Sequence, residues 1–352
     1  MFGGTVEAGG ELRQSQGLRV LAVDGATPDQ FGADWGTRST YVHFTRNISR
    51  QFALAAGVRA ADSTLVPDHT LAPWILANWS FTHGWTVNAS VGMSHQFPEL
   101  EQVLGASGSA ALGAERATHA DIGVQQRLAN GVRWQATLFN RVERNVLRAP
   151  GGNVGPVNGG LMLDSPARGH YVNALDGAAR GVELLIARDS VRRLSGWVSY
   201  TFGVMRQTDT TSGETFWGDF DRRHVFNATG VFRATDRTSL GIVLRGGTNV
   251  PIPGYFDARS GGLFAGDRPN RVRLPYYARL DARAERMFTS RDRISVFAEV
   301  LNVLNHQNQA PADGSVQPIS GEAIGFTRAL LARRASVGSA IGFGSPQSNG
   351  GR

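Results

Sequence analysis

The residues best equipped for chemistry fall in two places. One is D-F-D-R-R-H, where Asp219 and Asp221 precede His224 by five and three positions. Carboxylates beside an imidazole could make an acid/base pair or hold a metal. In an extended strand, though, residues three apart point to opposite faces, and no further ligand cluster follows. The sequence therefore reads this segment as a loop-to-strand junction held by hydrogen bonds. The other place is the run from Ala278 to Glu285. There Arg279, Asp281, Arg283 and Glu285 alternate strictly with Ala278, Leu280, Ala282 and Ala284. Spaced by two, the four charges share one face of a strand, as a salt-bridge ladder or a path for a charged solute. No G-x-S-x-G, Walker-type loop or His-Glu-x-x-His occurs. The expectation is a protein with no catalytic residues, no metal and no cofactor.

The element that positions this ladder is a hairpin. L-P-Y-Y-A-R-L-D-A-R-A-E-R-M-F runs into a short polar turn and then I-S-V-F-A-E-V-L-N-V-L-N, where Ile294, Val296, Ala298 and Val300 form a second apolar set. One face is smooth and apolar, the other densely charged. A soluble sheet buries large side chains on one face and scatters charge on the other. This pattern instead suits a barrel with lipid outside and water within, so the charged ladder is expected to face a lumen.

Alternation of the same kind recurs along the chain. It predicts about fourteen strands, near 2–13, 35–46, 50–62, 71–82, 85–96, 114–128, 132–146, 170–188, 193–208, 221–234, 238–249, 275–288, 293–304 and 326–343. Trp85, Val87, Ala89, Val91 and Met93 make one apolar face; Val132, Trp134, Ala136 and Leu138 make another. Short turns at 47–49, 83–84, 129–131, 189–192, 235–237 and 289–292 alternate with long connections at 14–34, 97–113, 147–169, 250–274 and 306–325. Connections at 63–70 and 209–220 are intermediate. Outer-membrane barrels have this two-beat rhythm, with short periplasmic turns and longer outside loops. Trp35, Trp74, Trp79, Trp85, Tyr200, Phe202, Tyr276 and Tyr277 lie near predicted strand ends, where an interfacial girdle would put them.

Composition agrees. Of 352 residues 18% are charged, Gly numbers 44 and Cys is absent; charge is low and Gly high for a globular chain. Lacking cysteine, the chain has neither a disulfide framework nor thiolate metal sites. The formal charge is +7, yet basic residues are spread without a block, so nucleic acid is not an expected partner. No apolar run reaches the length of a transmembrane helix. The opening M-F-G-G-T-V-E-A-G-G does not read as a signal peptide, and an exported barrel is then expected to have its leader upstream.

The last predicted strand ends S-V-G-S-A-I-G-F. Ser336, Gly338, Ile341 and Phe343 resemble the carboxy-terminal sorting signal that barrel-assembly machinery reads as a strand edge. A polar tail, 344–352, follows the barrel segment 1–343. Further motifs occur in order: F-P-E-L-E-Q-V-L-G (97–105), L-G-A-E-R-A-T-H (112–119), G-A-A-R-G-V-E-L (177–184), S-Y-T-F (199–202), D-F-D-R-R-H (219–224), R-L-P-Y-Y-A-R-L-D-A-R (273–283) and F-A-E-V-L-N-V-L-N (297–305). Together they resemble the barrel of TonB-dependent outer-membrane receptors, nearest to the group that often carries a carboxypeptidase-regulatory-like domain.

That resemblance implies an all-β antiparallel transmembrane barrel in the bacterial outer membrane, with these strands as about fourteen of a probable twenty-two. The plug domain and TonB box would precede them. It further implies capture of a scarce small molecule, such as a siderophore or glycan, and import powered through the TonB complex. Outer-membrane lipid and the assembly machinery are the other implied partners. Two alternatives remain at this point. A passive porin-like channel would close on fewer strands, and a soluble all-β carbohydrate-binding or hydrolytic protein would need a core of large apolar residues and acidic pairs at loop tips.

Overall fold

Period-two alternation becomes a single antiparallel meander. The computed structural model describes residues 3–21, 29–128, 131–149, 154–157, 160–163, 170–191, 193–288, 294–312, 314–317 and 319–341. Within them, β1 (Gly4–Leu21), β2 (Asp29–Asn47), β3 (Phe52–Ser63), β4 (Asp68–Phe81), β5 (Trp85–Gln96), β6 (Glu115–Arg127) and β7 (Val132–Arg148) pair in sequence order. The sheet continues through β8 (Val172–Val191), β9 (Leu194–Asp209), β10 (His224–Thr235), β11 (Thr238–Gly247), β12 (Tyr277–Met287), β13 (Ile294–Leu301) and β14 (Arg334–Ile341). A short strand, Thr215–Trp217, adds to the loop end of β9. Among the described residues β1 and β14 each pair on one side only.

Register separates the two faces. Phe52, Trp79, Val87, Val124, Ala136, Leu184, Tyr200, Phe226, Gly246 and Ala278 are successive cross-strand partners from β3 to β12. None of the ten carries a charge. One residue further along, the partners Asn78, Asn88, Gly123, Thr137, Glu183 and Thr201 make a polar row on the opposite face. The apolar row begins beside a short turn at Phe52 and ends near the loop end of β12 at Ala278. Such a climb is the stagger that strands need to tilt around a barrel.

Among the described residues no second layer covers the apolar face. Leu138 and Ile242 keep 59% and 52% of their surface exposed in mid-strand. Buried apolar clusters lie instead among the loops. One gathers Val250, Ile252, Phe256, Ala265, Leu274, Val316 and Ala323, the other Val66, Val103 and Leu112. A soluble sheet would reverse that distribution, since burial of apolar surface drives its folding. Here lipid can cover the sheet, and only the loops need a core of their own.

The turns follow from their residues. Between β4 and β5 His83 and Gly84 both take positive φ, 61° and 75°, as in the two-residue turns whose twist matches paired strands. A Cβ on Gly84 would come within 2.6 Å of the Arg127 carbonyl oxygen. After β2, Ser49 Oγ accepts the amides of Gln51 and Phe52 at 3.1 and 3.0 Å.

The long connections depart from expectation. Most of 14–34 is strand, because β1 and β2 stay paired out to Leu21 and Asp29. The 250–274 loop contains the hairpin Tyr255–Arg259 with Gly262–Pro269. The last strand is shorter than predicted: Thr327–Ala329 pairs with Gln309–Pro311 within the loop, and β14 starts at Arg334. Backbone pairing continues beyond the membrane-facing stretch, where side-chain alternation has no lipid to satisfy.

The candidate functional site: a polar wall and its loops

The expected ladder stands on β12. Arg279 Nε donates to both Asp281 oxygens at 2.8 and 3.0 Å, and Arg283 Nη2 donates to Glu285 Oε2 at 3.2 Å. Asp281 also accepts the Asn302 amide at 2.8 Å, which ties β12 to the end of β13. The Arg283 guanidinium lies 3.8 Å from the Phe297 ring centroid, a cation–π contact. All four charges share the polar face and pair along the strand with their i+2 neighbours. At partial exposure each pair contributes on the order of 0.2–1 kcal/mol, so their value is in neutralising the wall.

The same face is polar elsewhere. Tyr41 donates to Glu7 at 2.8 Å, Arg59 donates to Ser39 at 2.8 Å, and Asn78 donates to Asn88 at 2.5 Å. Ser90 donates to Asp121, and Arg141 pairs with Glu143 at 2.5 Å. These residues come from seven different strands, so the wall is a hydrogen-bonded polar surface broken by occasional apolar side chains such as Leu185.

Of the strand-end residues expected in the assembly signal, Ser336 pairs with Glu299 and Gly338 with Phe297. A Cβ on Gly338 would meet Phe297 Cζ at 2.5 Å, so the ring occupies the space glycine leaves. Ile341 lies opposite Ile294. Phe343 and the tail lie outside the described residues.

The D-F-D-R-R-H segment is structural. β10 begins at His224, so Asp221 precedes the strand. Asp221 is buried; it pairs with Arg273 and accepts the Met205 amide at 2.7 Å. His224 Nδ1 lies 2.8 Å from the Tyr200 hydroxyl, and Asp219 accepts from Asn270 at 2.7 Å. No group of three His, Cys, Asp or Glu side chains among the described residues could hold a metal. Asp221 and His224 thus have separate partners, Arg273 and the Met205 amide for one and Tyr200 for the other.

Loop architecture rests on the other motifs. In F-P-E-L-E-Q-V-L-G the helix α1 (Leu100–Leu104) starts from a capping box between Glu99 and Gln102. In L-G-A-E-R-A-T-H the amides of Gly113 and Ala114 donate to Asn173 and Asp68 at 2.8 and 2.7 Å. Tyr255 donates to Glu214 at 2.9 Å, joining two loops. Burial and that neighbouring carboxylate push its hydroxyl up to about 12.

Two features carried little signal in the sequence. Trp217 is sandwiched by Arg206 and Arg223, whose guanidinium carbons lie 4.1 and 4.0 Å from its ring centroid. Asn270 adopts φ 57° and donates to the Trp217 carbonyl at 2.6 Å. An isolated Asn at a left-handed position is the only local clue. The aromatic girdle is partial. Trp79, Phe81, Trp85 and Trp134 form a chain with ring centroids 5.3–6.4 Å apart near the short turns on the apolar face. Trp74 instead meets His43 edge-on at 4.9 Å on the polar face.

The family described as TonB dependent receptor-like, beta-barrel matches residues 2–303. Among solved structures, the ferric enterobactin receptor PfeA of Pseudomonas aeruginosa, in complex with enterobactin, aligns with 97% of this chain and 52% of its own. Identity is 17% and TM-score 0.71. The siderophore receptor PirA of the same organism covers 97% of this chain and 54% of its own, at 16% identity and TM-score 0.60. The ferric-catecholate import receptor Fiu of E. coli K12 covers 96% and 51%, at 14% identity and TM-score 0.63. Likeness at these identities speaks for the fold. The chain spans about half the length of these receptors. No curated protein matches the sequence. With fourteen antiparallel strands along its main sheet among the described residues, a bare apolar face and a polar one, the chain belongs to the TonB-dependent receptor-like β-barrel family, proteins of the Gram-negative outer membrane.

Proposed function

We propose that the chain is barrel wall, loops and terminal strand of a TonB-dependent receptor. Such a receptor captures a scarce solute at the loop side and imports it into the periplasm using TonB-coupled energy. The observation that carries this reading is the inversion of burial: apolar residues are bare on the sheet and buried in the loops. A soluble carbohydrate-binding or hydrolytic protein would need the opposite. The polar face, with Arg279, Asp281, Arg283 and Glu285, lines the aqueous interior in this reading. Its charges meet the plug or a passing solute. Binding and gated passage are the activity, with no covalent chemistry assigned to the chain.

The titles of the similar structures name siderophores and ferric catecholates, which favours a ferric siderophore over a glycan as substrate class. Ser336, Gly338 and Ile341, with Phe343 beyond them, form the edge offered to the barrel-assembly machinery. Support comes from the position of these residues in the final strand of the sheet. The test is uptake of radiolabelled iron, delivered on a panel of siderophores to cells carrying the full receptor. Uptake that needs both this receptor and TonB supports the proposal, and uptake unchanged by deleting TonB contradicts it.

A further inference from the structure

Four consecutive strands place an arginine at one level on the apolar face. Arg116 on β6 and Arg180 on β8 stand eleven residues from the short-turn ends of their strands; Arg144 on β7 and Arg206 on β9 stand twelve. A tilted transmembrane strand needs about 9–11 residues, so all four emerge where hydrocarbon gives way to headgroups on the loop side. Below them on the same face lie Ile122, Leu138, Val182 and Val204. Next to Arg116 in register is His95 of β5, whose buried Nδ1 has no hydrogen-bond partner.

Among the described residues only one arginine of this arc has an acidic partner. Arg116 and Arg144 are direct cross-strand partners, and like charges so placed repel. Asp176 answers Arg144 alone, and Arg206 lies over Trp217. Arg116 and Arg180 are exposed and have no ion pair or hydrogen bond among the described residues. All 36 basic residues of the chain are arginine, whose planar fork suits bidentate contact with phosphate. Three strand spacings, widened by the register offset of Arg180 from Arg144, make the arc more than about 14 Å wide, too broad for a single small anion and suited to a row of headgroups.

We propose that the loop-side ends of β6–β9 bind the phosphate groups of anionic lipids in the outer leaflet, through Arg116, Arg144, Arg180 and Arg206. The assignment rests on the reading of the apolar face as lipid-facing. It gives that face a specific partner, separate from the solute handled by the interior.

The test is native mass spectrometry of the full receptor, stripped of lipid in detergent and offered phosphatidylglycerol and phosphatidylcholine at equal concentration. The wild type retains phosphatidylglycerol in preference. Arg116→Gln/Arg180→Gln, which leaves no protein partner behind, lowers that retention by about tenfold or more, at roughly fivefold for each arginine near an anionic surface. Arg46→Gln/Arg286→Gln, on the same face at the short-turn end, keeps the wild-type preference. Unchanged retention in the first variant overturns the proposal, as does displacement of the lipid by excess inorganic phosphate, which marks a free-anion site. Heat-modifiable migration in gels separates the two readings. A wild-type receptor without it sinks the barrel wall as well; one that keeps it but shows no lipid preference sinks the arc alone.

Discussion

Phe297 fills the space that a side chain on Gly338 would need, with 2.5 Å between Phe297 Cζ and the position of a Cβ there. The contact joins the terminal strand to the charged ladder, because Arg283 stacks on the same ring. Gly338→Val is expected to slow or abolish assembly, and Phe297→Ala should restore it by clearing the space. Ser339→Ala, a position outside the signal and opposite Val296, should have little effect. Heat-modifiable migration of the receptor in isolated outer membranes reads all three.

Two motifs far apart in sequence meet at Asp221 and Arg273. The Asp221 side chain is fully enclosed, while 26% of Arg273 remains exposed. Removing one partner of such a pair costs about 3 kcal/mol. Arg273→Gln should therefore speed hydrogen exchange at the Met205 amide, which donates to the same carboxylate, by about a hundredfold. Exchange at wild-type rate would show that the pair does not hold the loops.

The apolar face is expected to reject charge in a way an ordinary exposed surface does not. Ile242 lies near the middle of the span and half exposed. Ile242→Arg should destabilise the barrel in phospholipid vesicles by about 2–4 kcal/mol. Thr229→Arg, on the polar face, should stay within about 0.5 kcal/mol. Denaturant unfolding in vesicles measures both.

The Tyr255–Glu214 contact between loops should fail in alkali. The folded pKa is raised to about 12 from an unfolded value of 10.0. The unfolded chain thus loses this proton first, and stability contributed by the contact is full below pH 10 and lost as pH rises through about 12. Tyrosinate absorbance should include one late-titrating group near pH 12, which Tyr255→Phe removes.

The strands were legible because lipid on one side and water on the other force strict alternation, so the turns at 47–49 and 235–237 stand out. Residues 14–34 were not, since their pairing is backbone to backbone and Gly17 and Gly32 interrupt the pattern. The loop cores were also hidden: Val66, Val103 and Leu112 come from separate connections and carry no local period. Arg279 to Glu285 could be read as a ladder from spacing alone. The partner of Asp221, fifty-two residues away, could not.

The most direct test uses the absence of cysteine. Single cysteines from Ala278 to Glu285, spin-labelled one at a time in bilayers, report exposure to oxygen and to a water-soluble nickel chelate. Positions 278, 280, 282 and 284 should be oxygen-accessible, and 279, 281, 283 and 285 chelate-accessible, with a period of two. If the even positions are shielded from both reagents, that face is packed under protein, and the membrane wall is wrong.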